Sequence, residues 1–349
     1  MLRTTSTLVV AGAACALASW LFASSQFFAL QASLVGVAVI LAVSLNLING
    51  ITGQFSIGHG GFMGVGAYVG VVTSSLLTQF QLLPGAPQVV SDQLVLLIAL
   101  ATGGLAAGTM GFLVGLPSLR LKGDYLAIVT LGFGEIIRVA IQNTKEIASD
   151  ELKLVQAQGI GAELAYRVTH LGRATGLSQI PQLTSFGMVW FWVFVVVMVT
   201  RRILGSPHGR ALLAIREDEV AAEAMGVDTT GYKVRAFAVA SFFAGVAGAL
   251  FAHFQAIITP AQFDFVKSTE IVVFIVAGGL GSTSGAVVSA MALTLLPEVM
   301  RSLFGGFNVE QIRKPLFGLL LVVIMLTRPQ GLFGTHELWD LGKRKKRPA

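Results

Sequence analysis

The residues in this chain that could carry chemistry are few, and their spacing speaks first about what the chain does not catalyse. Its five histidines form no H-x-x-x-H or H-E-x-x-H pair that would put two imidazoles on one helix face, so no metal site is expected. The single cysteine, Cys15, excludes an internal disulfide and a thiolate cluster. Ser284 in G-S-T-S-G lacks the G-x-S-x-G elbow and has no histidine or aspartate placed beside it, so no catalytic residues are expected. Gly342-Lys343 is followed by Arg344, and G-x-x-x-x-G-K-[ST] occurs nowhere, so no loop of this chain is built to cradle nucleotide phosphates. What remains is a set of polar side chains inside apolar runs. Gln54, Ser56, His59 and Tyr68 lie in one run, and Glu135 and Arg138, three apart on one helix face, lie in another. In hydrocarbon such groups are costly and are paired or face a wet path. An ion pair between Glu135 and Arg138 is expected, and all six residues are candidates for lining a translocation path. His253 and Gln255 read as packing residues.

The elements that must position these groups are membrane helices. Apolar residues make up 54% of the chain and charged ones 12%, against roughly 25% charged in a soluble domain. Long uncharged runs alternate with short charged loops at 7–23, 28–48, 55–80, 93–116, 124–142, 186–204, 236–258, 270–281, 285–300 and 315–328. The fold class is therefore all-α, a polytopic helical membrane bundle of about 8–10 transmembrane helices, since each crossing of a ~30 Å core needs some 20 apolar residues. Residues 1–335 form one membrane domain and 336–349 a basic tail. The first run resembles a signal peptide but is expected to be retained, because a second long run follows at once and the two make a hairpin. The run at 270–281 is too short to cross alone. With the following A-G-G-L-G-S-T-S-G it predicts a broken or re-entrant helix near 270–285, because irregular backbone at membrane depth must be buried in protein or line a cavity. That adds Gly278, Gly279, Gly281 and Ser282 to the path candidates. Glycines four apart, Gly60/Gly64, Gly66/Gly70, Gly104/Gly108 and Gly111/Gly115, predict close helix contacts.

Basic residues concentrate in short inner loops, although the count of crossings leaves Arg301, Arg313 and Lys314 outside. The tail Lys343-Arg344-Lys345-Lys346-Arg347 therefore goes inside, beside anionic lipid and not nucleic acid. Counting back puts both termini in the cytoplasm, the loop at 206–233 inside and the segment at 143–185 outside. The outer segment mixes charge with apolar residues, suits short surface helices and fits docking of a soluble partner. In the inner loop, Pro207 opens a helix, Ala211, Leu212, Ile215, Glu219, Ala222 and Met225 recur at helical spacing, and Gly226 stops it. An amphipathic helix follows, whose apolar face needs lipid or another protein as cover.

Several stretches carry a resemblance. The loop with Gly-Arg-Ala at 209–211, Arg216-Glu217-Asp218-Glu219 and Ala221 to Gly226 is similar to the coupling segment of M-type permease subunits of bacterial high-affinity branched-chain amino-acid ABC importers. G-Q-F-S-I-G-H-G-G-F-M-G-V-G-A-Y at 53–68, L-R-L-K-G-D-Y-L-A-I-V-T-L-G-F-G-E-I-I-R at 119–138, G-G-L-G-S-T-S-G at 278–285 and R-P-Q-G-L-F-G at 328–334 match as well. Against the general importer pattern E-A-A-x-x-x-G, Ala221, Ala222 and Gly226 register, while Val220 stands at the glutamate position.

The resemblance implies a non-catalytic, multi-pass subunit of the bacterial inner membrane. This chain would bind no cofactor, and its partners would use ATP and Mg. Those partners would be a second homologous permease in a heterodimer, two ATP-binding cassette subunits and a periplasmic amino-acid-binding protein. It further implies that Gly209, Arg210, Leu212, Ile215, Glu217, Asp218, Glu219, Ala222, Met225 and Gly226 form the helix that couples to the ATPases. The cargo would be a branched-chain or other hydrophobic amino acid, with urea or short amides as the alternative. An intramembrane enzyme and a passive channel are the readings from other classes.

Overall fold

A computed structural model describes residues 26–79, 87–118, 123–178, 180–303, 318–319, 322–323, 326–327, 330–334 and 337. Among them, seven helices are long and apolar enough to span a membrane. The predicted run at 7–23 lies outside the described residues, as do most of 315–328 and all of the tail except Glu337.

The chain begins with α1 (Gln26–Asn46), which continues into a π-helical turn, Leu47–Ile51. Next come α2 (His59–Leu77), α3 (Gln88–Ser118) and α4 (Asp124–Gln142). Two short helices follow, α5 (Ser149–Ala157) and α6 (Ile160–Thr169), so the 143–185 segment carries surface helices as expected. After strand β1 (Leu177–Ser178), α7 (Phe186–Gly205) returns through the bundle. The polar loop folds as α8 (Pro207–Glu217) and α9 (Glu219–Ala224), and α10 (Thr229–Ala252) follows. Strand β2 (Ile257–Ile258), a 3-10 turn at Pro260–Phe263, α11 (Phe265–Gly278) and α12 (Thr283–Leu303) complete the described elements.

α10 is the central rod. It packs most extensively on α3 and α2, while α1 joins it to α7, α11 and α12. Its apolar window is 72% buried, against 28% for the peripheral α4 and α7. Membrane helices gain no hydrophobic stabilisation from touching one another, so they associate where small residues let backbones close in. At Gly66 an added Cβ would collide with Gly245, and at Gly103 it would fall 2.6 Å from the Gly66 carbonyl oxygen. These three glycines bring α2, α3 and α10 together. Gly104 and Gly108 face Phe242 of α10, and Gly60 and Gly64 face Ser268 and Phe263, so the four-residue glycine spacing is used in packing.

The helical path is interrupted near 279–282, as expected, and also ahead of it. After α10, His253 accepts or donates at Ser74 (2.7 Å), near the far end of α2. Phe263 then meets Gly64, and Ser268 meets Gly60. From Ser74 to Gly64 is about 15 Å at 1.5 Å per residue. The chain thus descends along α2 in largely non-helical form before α11 starts, and 14 helical residues suffice for the remainder. The helix also breaks within the expected stretch: α11 stops at Gly278 and residues 279–282 make a tight turn into α12.

The loop helix is also divided. Asp218 adopts an extended backbone (φ −156°, ψ 110°), and its carboxylate accepts hydrogen bonds from Val220 N and Ala221 N. A short polar side chain that competes for backbone donors ends one helix and caps the next.

Candidate coupling and path sites

The ten predicted coupling residues separate into those that hold the loop to the bundle and those that face away from it. Gly209 is buried where a side chain would strike the end of α7, and Leu212, Ile215 and Ala222 are buried. Glu219 turns inward, pairing at 2.6 Å with Lys233 of α10, whose side chain is 2% exposed. Arg210, Glu217 and Asp218 lie at the surface. Gly226 takes φ +82°, closing α9 as expected, with its N–H donating to the Glu223 carbonyl. Met225 is 84% exposed and Val220 67%, with Leu213 also exposed. Leu213 and Val220 were not among the residues read from periodicity; for Val220 the reason is that the division at Asp218 re-aims α9.

The path candidates fall in three places. Asn49 holds the backbone of Ser56 through both its amide atoms (3.1 Å each), and His59 Nε2 bonds Ser44 Oγ at 2.8 Å. Gln54 is half-buried beside them. Tyr68 is buried edge-on to Phe263, and its hydroxyl meets no partner among the described residues. These four sit within the protein fabric. The second place is α4, where Glu135 and Arg138 form the expected pair at 2.7 Å, both partly exposed. The other Glu135 oxygen accepts from Phe265 N (3.1 Å), so this carboxylate also caps α11. Asp264 caps the same end through Lys267 N, and Lys267 pairs with Glu270 at 3.1 Å. Lys267, Glu270 and Asp264 escaped notice in the sequence because they flank a short apolar run.

Gly278, Gly279, Gly281 and Ser282 occupy the third place, at the opposite end of α11 from Glu135. Leu332 N and Phe333 N donate to the Ala277 and Gly278 carbonyls (2.9 and 3.1 Å), filling acceptors that a helix C-terminus leaves open. Glu337 receives Thr283 N and Ser284 N (2.8 and 2.9 Å) at the start of α12, where a carboxylate is favoured. Asn46 Oδ1 accepts from Gly281 N at 2.9 Å, and Arg216 Nη1 donates to the Gly50 carbonyl at 2.7 Å. The motif R-P-Q-G-L-F-G marked 328–334 only as a matching stretch and Arg216 only as part of the matching loop; nothing in the sequence pointed to their contacts with the bundle or to Asn46.

On the opposite face, β1 pairs antiparallel with β2, Leu177 opposite Ile258, and α6 is tied to the end of α2. Burial pushes the Glu163 carboxyl up, but hydrogen bonds from Arg167, Gln79 and Gln156 outweigh it and hold the group below the usual glutamate value.

Apolar helices interrupted at one pass, a charged cluster beside the interruption and a polar two-helix loop on one face define a polytopic helical membrane protein. Residues 7–326 match the family described as "Branched-chain amino acid transport system / permease component". The chain belongs to that family. It is 35% identical over 325 residues to the high-affinity branched-chain amino acid transport system permease protein LivM of Escherichia coli K12, covering 90% of this chain and 72% of that protein. It is 24% identical to a probable LivM of Methanocaldococcus jannaschii, covering 69% and 70%. It is 21% identical to the permease protein BraD of Pseudomonas aeruginosa, covering 86% and 92%. No solved structure matches the chain.

Proposed function

We propose that this chain is the membrane subunit of an ATP-driven importer for branched-chain amino acids, working with a second permease, two ATPases and an external binding protein. The observation that carries the reading is the outward exposure of three apolar side chains on the polar loop, Leu213 of α8, Val220 of α9 and Met225 at the end of α9. Apolar side chains exposed on a charged, bundle-anchored two-helix loop suit capture by a partner protein. With the loop and the basic tail in the cytoplasm, that partner is the ATPase, which supplies the nucleotide and Mg chemistry; the face bearing α5 and α6 receives the binding protein. α4 shows Tyr125, Ile128 and Ile136 outward beside its half-exposed ion pair. Charges turned to lipid are costly, which favours a second permease covering this face and a path along it. Alternating access then follows from differential contacts of the ATPases in two states.

The test is uptake into vesicles holding the complete assembly. Leucine is expected to accumulate only with ATP. Met225→Glu is expected to leave the subunit inserted while weakening ATPase association at least roughly tenfold, as loss of a buried interface anchor does. Leucine running freely down its gradient without ATP would mark a passive channel and end the proposal.

A further inference from the structure

We infer that Arg216 is the positioning residue through which displacement of α8 reaches the membrane bundle. It clamps the end of α1 to the α11–α12 turn. The inference rests on the importer reading for what moves α8; the linkage itself stands on geometry. Arg216 lies in the last turn of α8, partly buried, and spans 166 positions of sequence to reach the Gly50 carbonyl. Gly50 belongs to the π-helical turn ending α1, where carbonyls run out of helical donors and where π-turns are often functional. The same guanidinium lies against Gly281, where an added Cβ would fall 2.6 Å from Nη1. A Cβ at Gly53 would sit 3.0 Å from Arg216 Cγ, so the arginine stem is enclosed as well as its head.

The joint is closed from the other side. Asn46 Oδ1 binds Gly281 N directly beneath Gly50, and a side chain at Gly50 would obstruct that bond. The strap at 332–333 and Glu337 hold the two helix ends that flank the turn. A turn fixed at both helix ends cannot absorb a push by local bending, so movement of Arg216 passes into α11 and α12. α11 delivers it at its far end, where Phe265 N meets Glu135 of the charged cluster. Arginine suits the position because its planar, multi-donor head can hold a carbonyl in a fixed direction, which a lysine point charge does not.

The complete assembly in vesicles is assayed for leucine uptake and ATP hydrolysis together. Absence of ATP-driven uptake in the unmodified assembly would overturn the importer reading and is read separately. Arg216→Gln is expected to lower leucine transported per ATP hydrolysed by roughly tenfold, within the usual range of coupling factors, with hydrolysis retained. A ratio unchanged from the unmodified assembly overturns the inference.

A second variant asks whether a physical link is what matters. In a Cys15→Ser background, Gly53→Cys with Arg216→Cys places two Cβ atoms about 3.5 Å apart, within the roughly 3.5–4.5 Å span a disulfide accepts, and Gly53→Cys alone controls for the strain of a side chain at φ +69°. The reduced form is expected to be uncoupled and the oxidised form to regain coupling. An oxidised form that stays uncoupled, a reduced form that is fully coupled, or failure of both variants to assemble would show a merely structural role and overturn the inference.

Discussion

At the residue scale, Glu219 shows how neighbours on one short helix divide between holding the fold and facing a partner. Periodicity groups it with Met225, yet the two point in opposite directions, Glu219 to Lys233 and Met225 to the outside. Removing one partner of a largely buried pair leaves the other charge without compensation, whereas removing both together is often nearly neutral. Glu219→Gln is therefore expected to destabilise the subunit by about 2 kcal/mol, less than a fully buried pair because the carboxylate is partly solvated. Lys233→Met with Glu219→Leu is expected to recover most of it, and thermal unfolding of the detergent-solubilised subunit measures both. Met225→Glu, at an exposed position, is expected to stay within about 0.5 kcal/mol of the unmodified protein. If the two single variants unfold alike, the division of the loop into inward and outward residues is wrong.

At the element scale, the outer helices depend on one carboxylate. Glu163 of α6 gathers Arg167 from its own helix, Gln156 from α5 and Gln79 from the end of α2. Its folded-state pKa lies below the usual value. The stabilisation is therefore fully present above the ordinary glutamate pKa and is lost as pH falls through the depressed folded value. Protection from amide exchange over residues 149–169, relative to intrinsic exchange, is expected to fall on acidification below about pH 4, and Glu163→Gln is expected to flatten that dependence. Unchanged acid sensitivity in that variant would assign the effect to another group. The inner elements follow a different rule. α11 is short because the chain covers part of the distance in non-helical form, and both of its ends are closed by residues remote in sequence, Glu135 at one and the 332–333 strap at the other.

At the scale of the whole molecule, the loop helices and the outer helices lie on opposite faces of the bundle, so their exposed residues report topology. With Cys15 replaced, Met225→Cys is expected to react with a membrane-impermeant thiol reagent only from the cytoplasmic side, and Leu154→Cys, also exposed, only from outside. Labelling of both from the same side would reject the arrangement. Much of this was legible in the chain itself. Scarce charge and long apolar runs determined a helical membrane bundle, because hydrocarbon offers backbone groups no partners outside a helix. Three-residue spacing determined the Glu135–Arg138 pair, and glycine spacing four residues apart marked close helix contacts, since both follow from the pitch of a single helix. The π-turn of α1, the grip of Arg216 on Gly50, the Asn46–Gly281 bond and the seat of Glu337 at α12 were decided only by tertiary structure. The last three join residues dozens to hundreds of positions apart, and no local period or propensity records which helix end will stand beside which.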